Sequence, residues 1–262
     1  MTKTVLDHVA IGTRALTDGW DLFGGLLGGS WVCGADSPGY WWGQLRFRTG
    51  PKIELLTPTG GAEAAFLNRF LAARGAGPHH LNFIVPDISR TLSRVRAVGI
   101  EPLQTSLLSP TWKEAFLHPK DAYGIVIQVA EQSGAPPELA APAQLPPPGP
   151  PSAFALVEHQ VADIDGAVRL YAESLEGEVV SREYTAAATV AELTWANGAR
   201  LRLVQPASAA DGWQRPAGEL SKLRFTREAE FSPAERSRAA DLARRLGVSL
   251  QLAELNPISR QG

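Results

Sequence analysis

Cysteine occurs once, at Cys33, which rules out an intramolecular disulfide and leaves no cysteine set for a metal. A lone thiol suits a reducing compartment, and the ordinary role for it is a small buried hydrophobe. Charge of one sign is also missing. A formal net charge of −2 gives neither the basic footprint of a nucleic-acid binder nor attraction to an anionic membrane. No apolar run approaches the length of a membrane span. The first residues lead straight into a strand, without a basic stretch followed by an apolar one, so the expected location is cytoplasmic. What remains is the composition of a folded globular protein, 44% hydrophobic and 20% charged, and 262 residues leave room for two domains of ordinary size.

The first half says nearly the same thing twice. Leu6-Asp7-His8-Val9-Ala10-Ile11 is echoed by Pro78-His79-His80-Leu81-Asn82-Phe83, and Lys52-Ile53-Glu54-Leu55-Leu56 by Val126-Ile127-Gln128-Val129-Ala130. The steps from His8 to Glu54 and from His80 to Gln128 are nearly equal in length. A repeat of that size is one supersecondary block used twice. Each block supplies an imidazole and a carboxylate or carboxamide. If the blocks face each other about a pseudo-twofold axis, His8, Glu54, His80 and Gln128 meet at one point. Alone, His8 would be an ordinary core histidine and Glu54 a solvent-facing strand residue. An ionised carboxylate among Ile53, Leu55 and Leu56 is costly unless paired or bound to a metal, and the matched positions favour the metal.

Block one reads as a strand over 4–11, a helix over 15–27 closed by Gly28-Gly29, and strands near 30–34, 41–48 and 51–57. Block two reads as a strand over 79–85, a helix capped by Asp87 and closed by Gly99, and strands near 101–106, 112–117 and 124–130. The order βαβββ, twice, predicts an α+β fold of curved mixed sheets with helices outside. Eight prolines between Ser133 and Ser152 predict a semi-rigid spacer over 133–152, dividing a metal-binding domain (1–132) from a second domain (153–262). In that second domain the block returns in worn form. Leu156 to Val161, a helix over 163–175, Arg200 to Val204, Ser221 to Phe225, a helix over 232–246 and a last stretch at 248–255 give a degenerate module cut short at its C-terminal end. Its metal-type positions have become His159, Arg202 and Lys222. Two cations repel a metal ion, so His159 is expected to be structural and the cations to pair with acids or bind an anion.

These stretches resemble the vicinal oxygen chelate superfamily, which unites glyoxalases, bleomycin resistance proteins and extradiol dioxygenases. Over residues 4–131 the resemblance is nearest to methylmalonyl-CoA epimerase, carried also by Phe66-Leu67-Asn68-Arg69-Phe70-Leu71, Gly75-Ala76-Gly77-Pro78-His79-His80 and Leu117-His118-Pro119-Lys120-Asp121. The resemblance implies two pseudo-symmetric domains of tandem modules. It implies that His8, Glu54, His80 and Gln128 hold Co²⁺, Mn²⁺, Zn²⁺ or Ni²⁺, with Fe²⁺ the lesser choice. The metal would polarise a substrate carbonyl and stabilise an enolate while a base removes the neighbouring proton.

This chain departs from the epimerase pattern twice. Glu54 is its first glutamate, so the base that the family carries upstream is missing, and Gln128 stands where a glutamate is usual. Proton abstraction would pass to Glu54 itself, to Tyr40, or to Glu114, which reads as a surface charge. Tyr40, Trp41 and Trp42 suggest an aromatic wall for a bulkier substrate, although cross-strand packing would use the same residues. His118 and Lys120 are candidates for substrate contact. The expectation is a metal-dependent isomerase or lyase acting on a small molecule, with no nucleic-acid or membrane partner, as a homodimer or an intrachain pseudo-dimer. An Fe(II) ring-cleaving dioxygenase and a non-catalytic resistance-type binding protein are the competing readings.

Overall fold

The computed structural model describes residues 3–134, 140–207 and 220–255. The chain opens on β1 (Val5–Gly12), whose run from Val9 to Ile11 is fully buried. Next comes α1 (Leu16–Gly19), which continues as a π-helical stretch (Trp20–Leu26), then β2 (Ser30–Ser37), β3 (Tyr40–Arg46) and β4 (Lys52–Pro58). An extra helix, α2 (Ala65–Arg74), precedes the second block. That block is β5 (Gly77–Ile84), α3 (Ile88–Ala97), β6 (Leu103–Ser106), β7 (Trp112–Leu117) and β8 (Val126–Gln132). The third is β9 (Ala153–Gln160), α4 (Ile164–Val168) with its π-helical continuation (Arg169–Ser174), β10 (Glu178–Tyr184), β11 (Ala188–Thr194) and β12 (Arg200–Pro206). A fourth block holds, among the described residues, β13 (Leu220–Arg227), α5 (Pro233–Arg245) and β14 (Leu250–Glu254).

The strands form an eight-stranded sheet, ordered β2-β3-β4-β1-β5-β8-β7-β6, and a six-stranded sheet, ordered β10-β11-β12-β9-β13-β14. In the first, β1 and β5 are neighbours at the centre, each flanked by the last strand of its own block. The expected α+β architecture of repeated βαβββ modules is borne out. No helix among the described residues is long and apolar enough to cross a membrane.

The chain divides into two compact units, and each draws on both halves of the sequence. One holds the chain up to Val9, the stretch from His79 through β8, and β9 to β12 from Leu156. Its core sets Phe83 of β5 against Tyr171 and Trp195, with ring centroids 6.0 and 5.3 Å away. Buried Trp195 donates its indole N–H to the Leu175 carbonyl at 2.8 Å, so the ring is fixed as well as packed. The other unit runs from Ala10 to Pro78 and resumes with the proline-rich segment and with β13, α5 and β14 from Lys222. There Phe225 is fully buried between Phe154 at 4.5 Å and Phe47 at 4.9 Å, with Phe23 at 6.1 Å. Ser232 and Glu235 form a capping box at the start of α5, and Arg227 binds the same glutamate at 2.8 Å.

The proline-rich segment is more than a spacer. Gly149 N–H donates to the Gly24 carbonyl (3.3 Å), Ser152 N–H to that of Leu27 (3.2 Å), and Arg48 N–H to that of Ser152 (3.0 Å). Residues 140–152 are therefore strapped across the end of the first helix. Gly28, at φ 69°, permits it, since a β-carbon there would stand 2.4 Å from the Pro150 carbonyl oxygen. Residues 135–139 of the expected spacer lie outside the described residues.

Candidate metal centre

Three buried side chains, from the strands that the repeat singled out, come together. The ligand atoms offered by His8 of β1, Glu54 of β4 and His80 of β5 all lie within 4.8 Å of one another. Their residues are 2%, 7% and 6% exposed. Among the described residues this is the one cluster of three or more histidine, cysteine or acidic side chains placed to hold a metal ion. Alternation explains it, because a strand in the middle of a sheet sends every second side chain to the same face.

Each member is held from behind. His8 Nδ1 meets Asp7 Oδ2 at 2.8 Å. His80 Nδ1 meets His79 Nδ1 at 2.9 Å, so one of the pair donates and the other accepts. Gln44, opposite Glu54 across the β3–β4 ladder, donates from Nε2 to Glu54 Oε2 at 2.7 Å. The Cys33 thiol approaches Oε1 of the same Gln44 at 3.9 Å, which fixes the amide with its N–H toward the carboxylate. Burial, followed by the neighbouring His79 and His8, pushes the His80 pKa well below its ordinary value. Burial also lowers His79, to about 4. A histidine kept neutral near pH 7 is in the form that binds a metal. Two imidazoles and one carboxylate, oriented by hydrogen bonds from outside, make a nitrogen–oxygen set that fits a divalent transition ion or zinc.

Gln128 sits beside this group. In the β5–β8 ladder it is opposite Asn82, which donates to its Oε1 at 2.8 Å, and its own Nε2 donates to Glu114 Oε2 at 2.8 Å. Glu114 is half-buried on β7 and also accepts from the Trp112 indole N–H at 2.9 Å. The sequence reading of Glu114 as a surface charge is therefore corrected: this carboxylate belongs to the polar surroundings of Gln128. Asn82 itself is fully buried.

The aromatic doublet splits. Register places Tyr40 and Trp42 in line with Gln44, and Trp41 between them on the opposite face. There Trp41 packs edge-on against Trp20 at 5.5 Å and stacks with Trp31 at 6.2 Å, its ring lying over Gly43, where a β-carbon would come within 2.2 Å of it. Trp41 is thus a half-buried packing residue. Tyr40 and Trp42 instead pack, with Phe70 and Leu71 of α2, on a buried cluster of Ala10, Leu56 and Leu67. Ala10 follows His8 by two positions on β1, and Leu56 follows Glu54 by two on β4, so this apolar wall continues the strand faces that carry His8 and Glu54. His118 and Lys120 are exposed residues of the turn between β7 and β8, where Lys120 N–H donates to His118 Nδ1 at 3.1 Å.

The later residues behave as structure. His159 is fully buried, with Nε2 3.0 Å from the Tyr123 carbonyl and Nδ1 3.1 Å from the Tyr171 hydroxyl. Arg202 is opposite Glu192 in the β11–β12 ladder and binds it at 3.1 Å, and Arg200 pairs with the same carboxylate.

Comparison with known proteins bears on the fold. Residues 7–116 match the model of the Glyoxalase/Bleomycin resistance protein/Dioxygenase superfamily. No curated protein matches the sequence. Among solved structures, a mutant of 4-hydroxymandelate synthase from Streptomyces coelicolor aligns with a TM-score of 0.60 over 93% of this chain and 76% of that one, at 12% identity. A xylose isomerase-like TIM barrel/4-hydroxyphenylpyruvate dioxygenase fusion protein gives 0.56 over 91% of this chain and 38% of its own length, at 15% identity. At such identities the likeness is one of fold. Methylmalonyl-CoA epimerase from Mycobacterium tuberculosis covers 51% of this chain and 94% of its own, with 26% identity and a TM-score of 0.44.

Proposed function

We propose that this chain, whose residues 7–116 form a domain of the glyoxalase/bleomycin resistance protein/dioxygenase superfamily, is a divalent-metal enzyme. It acts on a small carbonyl compound with a second oxygen beside the carbonyl and a bulky apolar group. The reaction is an isomerisation or lyase step that begins by removing the proton next to the carbonyl. The buried His8–Glu54–His80 cluster is the observation that carries this reading. These three side chains would hold the ion, with Gln128 as the adjoining amide. When bound, the ion supplies a Lewis acid that draws charge onto the carbonyl oxygen and makes the neighbouring proton more acidic. The chain's own residues do the rest. Tyr40, Trp42 and Phe70 offer an apolar surface on the ligand-bearing face, which suits an aryl or branched alkyl group better than a small acyl chain. Gln44 and Asp7 keep Glu54 and His8 in place as the substrate enters.

A second reading is an Fe(II) oxygenase, and one observation favours it. Two histidines with one carboxylate make the donor set of such enzymes. The Gln128 amide, moreover, is already engaged at both ends by Asn82 and Glu114. Metal analysis of the protein purified without added metal separates the two readings. Zinc, cobalt, manganese or nickel at about one ion per chain is the expected result, iron moves the assignment to the oxygenase, and no metal at all sinks both.

A further inference from the structure

We propose that Glu114 is the proton acceptor of this site, for substrates of the α-hydroxy ketone type that carry an aryl group. The proposal rests on the metal-enzyme reading above and gives it the base that the sequence lacked. Four observations lead to it. The first is placement. In the β7–β8 ladder Glu114 is opposite Ala130 and Phe116 is opposite Gln128, so Glu114 lies on the face of β8 that carries Gln128. In the β5–β8 ladder that face continues through Asn82 and His80.

The second observation is how the carboxylate is held. Both of its hydrogen bonds, from the Trp112 indole and the Gln128 amide, end on Oε2. Oε1 accepts none among the described residues and is left to receive a proton. The third is the absence of a neutralising cation. The basic neighbour on the same strand, Lys113, is bound to Glu131 at 2.6 Å, and among the described residues no arginine or lysine pairs with Glu114. The fourth is that the other candidates are committed elsewhere. Glu54 is clamped by Gln44 within the metal-type cluster. Tyr40 is a phenol of reference pKa about 10, packed edge-on against Phe66 at 5.3 Å. Beside Glu114's partner Gln128, the fully buried Asn82 Oδ1 holds no hydrogen bond among the described residues. It is an acceptor suited to a substrate hydroxyl.

The step balances without a co-reactant. The C–H bond next to the carbonyl breaks, its proton passes to Glu114 Oε1, and its electron pair moves into the carbonyl to give an enolate. Return of that proton to the neighbouring carbon, with the substrate's hydroxyl proton passing to the former carbonyl oxygen, isomerises the substrate. Where Glu114 first trades its proton with solvent, return to the same carbon replaces the original hydrogen.

The test uses the full chain and 2-hydroxyacetophenone, which joins vicinal oxygens, an aryl ring and exchangeable protons. Binding is read from the visible spectrum of the Co²⁺-loaded protein. Exchange of the methylene protons in deuterated water is read by NMR on the Zn²⁺-loaded protein. The wild type is expected to change its Co²⁺ spectrum with the probe and to exchange its protons well above the rate with free Zn²⁺. Glu114→Gln should keep both the Co²⁺ spectrum and the probe-induced change while losing exchange by about 100-fold, the usual contribution of a positioned base. Glu114→Asp should recover part of that loss. Four results overturn the proposal: exchange by Glu114→Gln within about threefold of wild type; an altered Co²⁺ spectrum in that variant, which would make Glu114 a structural residue; wild-type binding of the probe without accelerated exchange; or no binding of the probe. A wild type that takes up no Co²⁺ overturns the metal reading itself, a separate outcome.

Discussion

A carboxylate serves as a metal ligand only when something holds it still, and in the proposed site Gln44 would do this for Glu54. Its amide donates to one oxygen of Glu54 at 2.7 Å and so holds the carboxylate in one orientation. Loss of such an outer hydrogen bond commonly costs 10- to 100-fold in metal affinity. Gln44→Leu, close in volume but unable to donate, should therefore weaken Co²⁺ binding by about that factor, whereas His80→Ala should abolish it. Calorimetric titration of the two variants checks this, and unchanged affinity in Gln44→Leu would mean that Glu54 needs no support. The clustering of His8, Glu54 and His80 was legible because a repeat with period-two alternation marks matched positions. Their supports were not. Gln44 becomes the partner of Glu54 only through the β3–β4 register, and Trp41-Trp42 must split between faces without either residue announcing which way it points. Glu114 read as surface charge for the same reason: its role depends on what the neighbouring strand places opposite.

Elements depend on such cross-strand detail too, as α3 illustrates. Asp87 caps it by accepting from Arg90 N–H at 2.9 Å, which the sequence signalled. Glu131 of β8 adds a bond from the Ile88 N–H at 2.9 Å and another from Lys113 at 2.6 Å, which it did not. The backbone bond first, then Lys113, holds the Glu131 carboxyl below its ordinary range. A depressed folded-state pKa means that the stabilisation is complete above the unfolded value of about 4.3 and disappears as pH falls through the lower folded value. Glu131→Gln should thus lower the urea midpoint near neutral pH and lessen its decline below about pH 5. A variant whose midpoint tracks the wild type at every pH would show that Glu131 contributes nothing. Helix α2 escaped the sequence reading for a physical reason. It starts after Gly60-Gly61 with Ala64 at the cap position and no side-chain cap, so the usual start signal is absent. Only Gly75, at φ 75°, marks its end.

At the scale of the molecule, the proline-rich stretch looks like a boundary, yet packing ignores it. Block order along the chain gave the two sheets correctly, because strand and helix patterns are local. Which blocks pack together is decided by aromatic contacts far apart in sequence, and periodicity carries no information about them. Phe83 from before the strap meets Tyr171 and Trp195 from after it. Phe23 and Phe47 likewise meet Phe154 and Phe225. Arg238 and Arg245 of α5 reach back to Asp21 and Asp18, adding exposed pairs of small worth. Each aromatic ring buries about 150–250 Å² and is a large part of a small core. A fragment of residues 1–132 would leave Phe23, Phe47 and Phe83 facing water in both units, although it contains His8, Glu54 and His80. It should bind a hydrophobic dye, associate with itself and lack the sharp thermal transition of the full chain. Adding a 133–262 fragment should restore that transition, because the contacts need not be covalently linked to form. A 1–132 fragment that stays monomeric and melts as cooperatively as the intact protein would show that its first half is a self-sufficient domain, and that the aromatic contacts across the strap contribute little to stability.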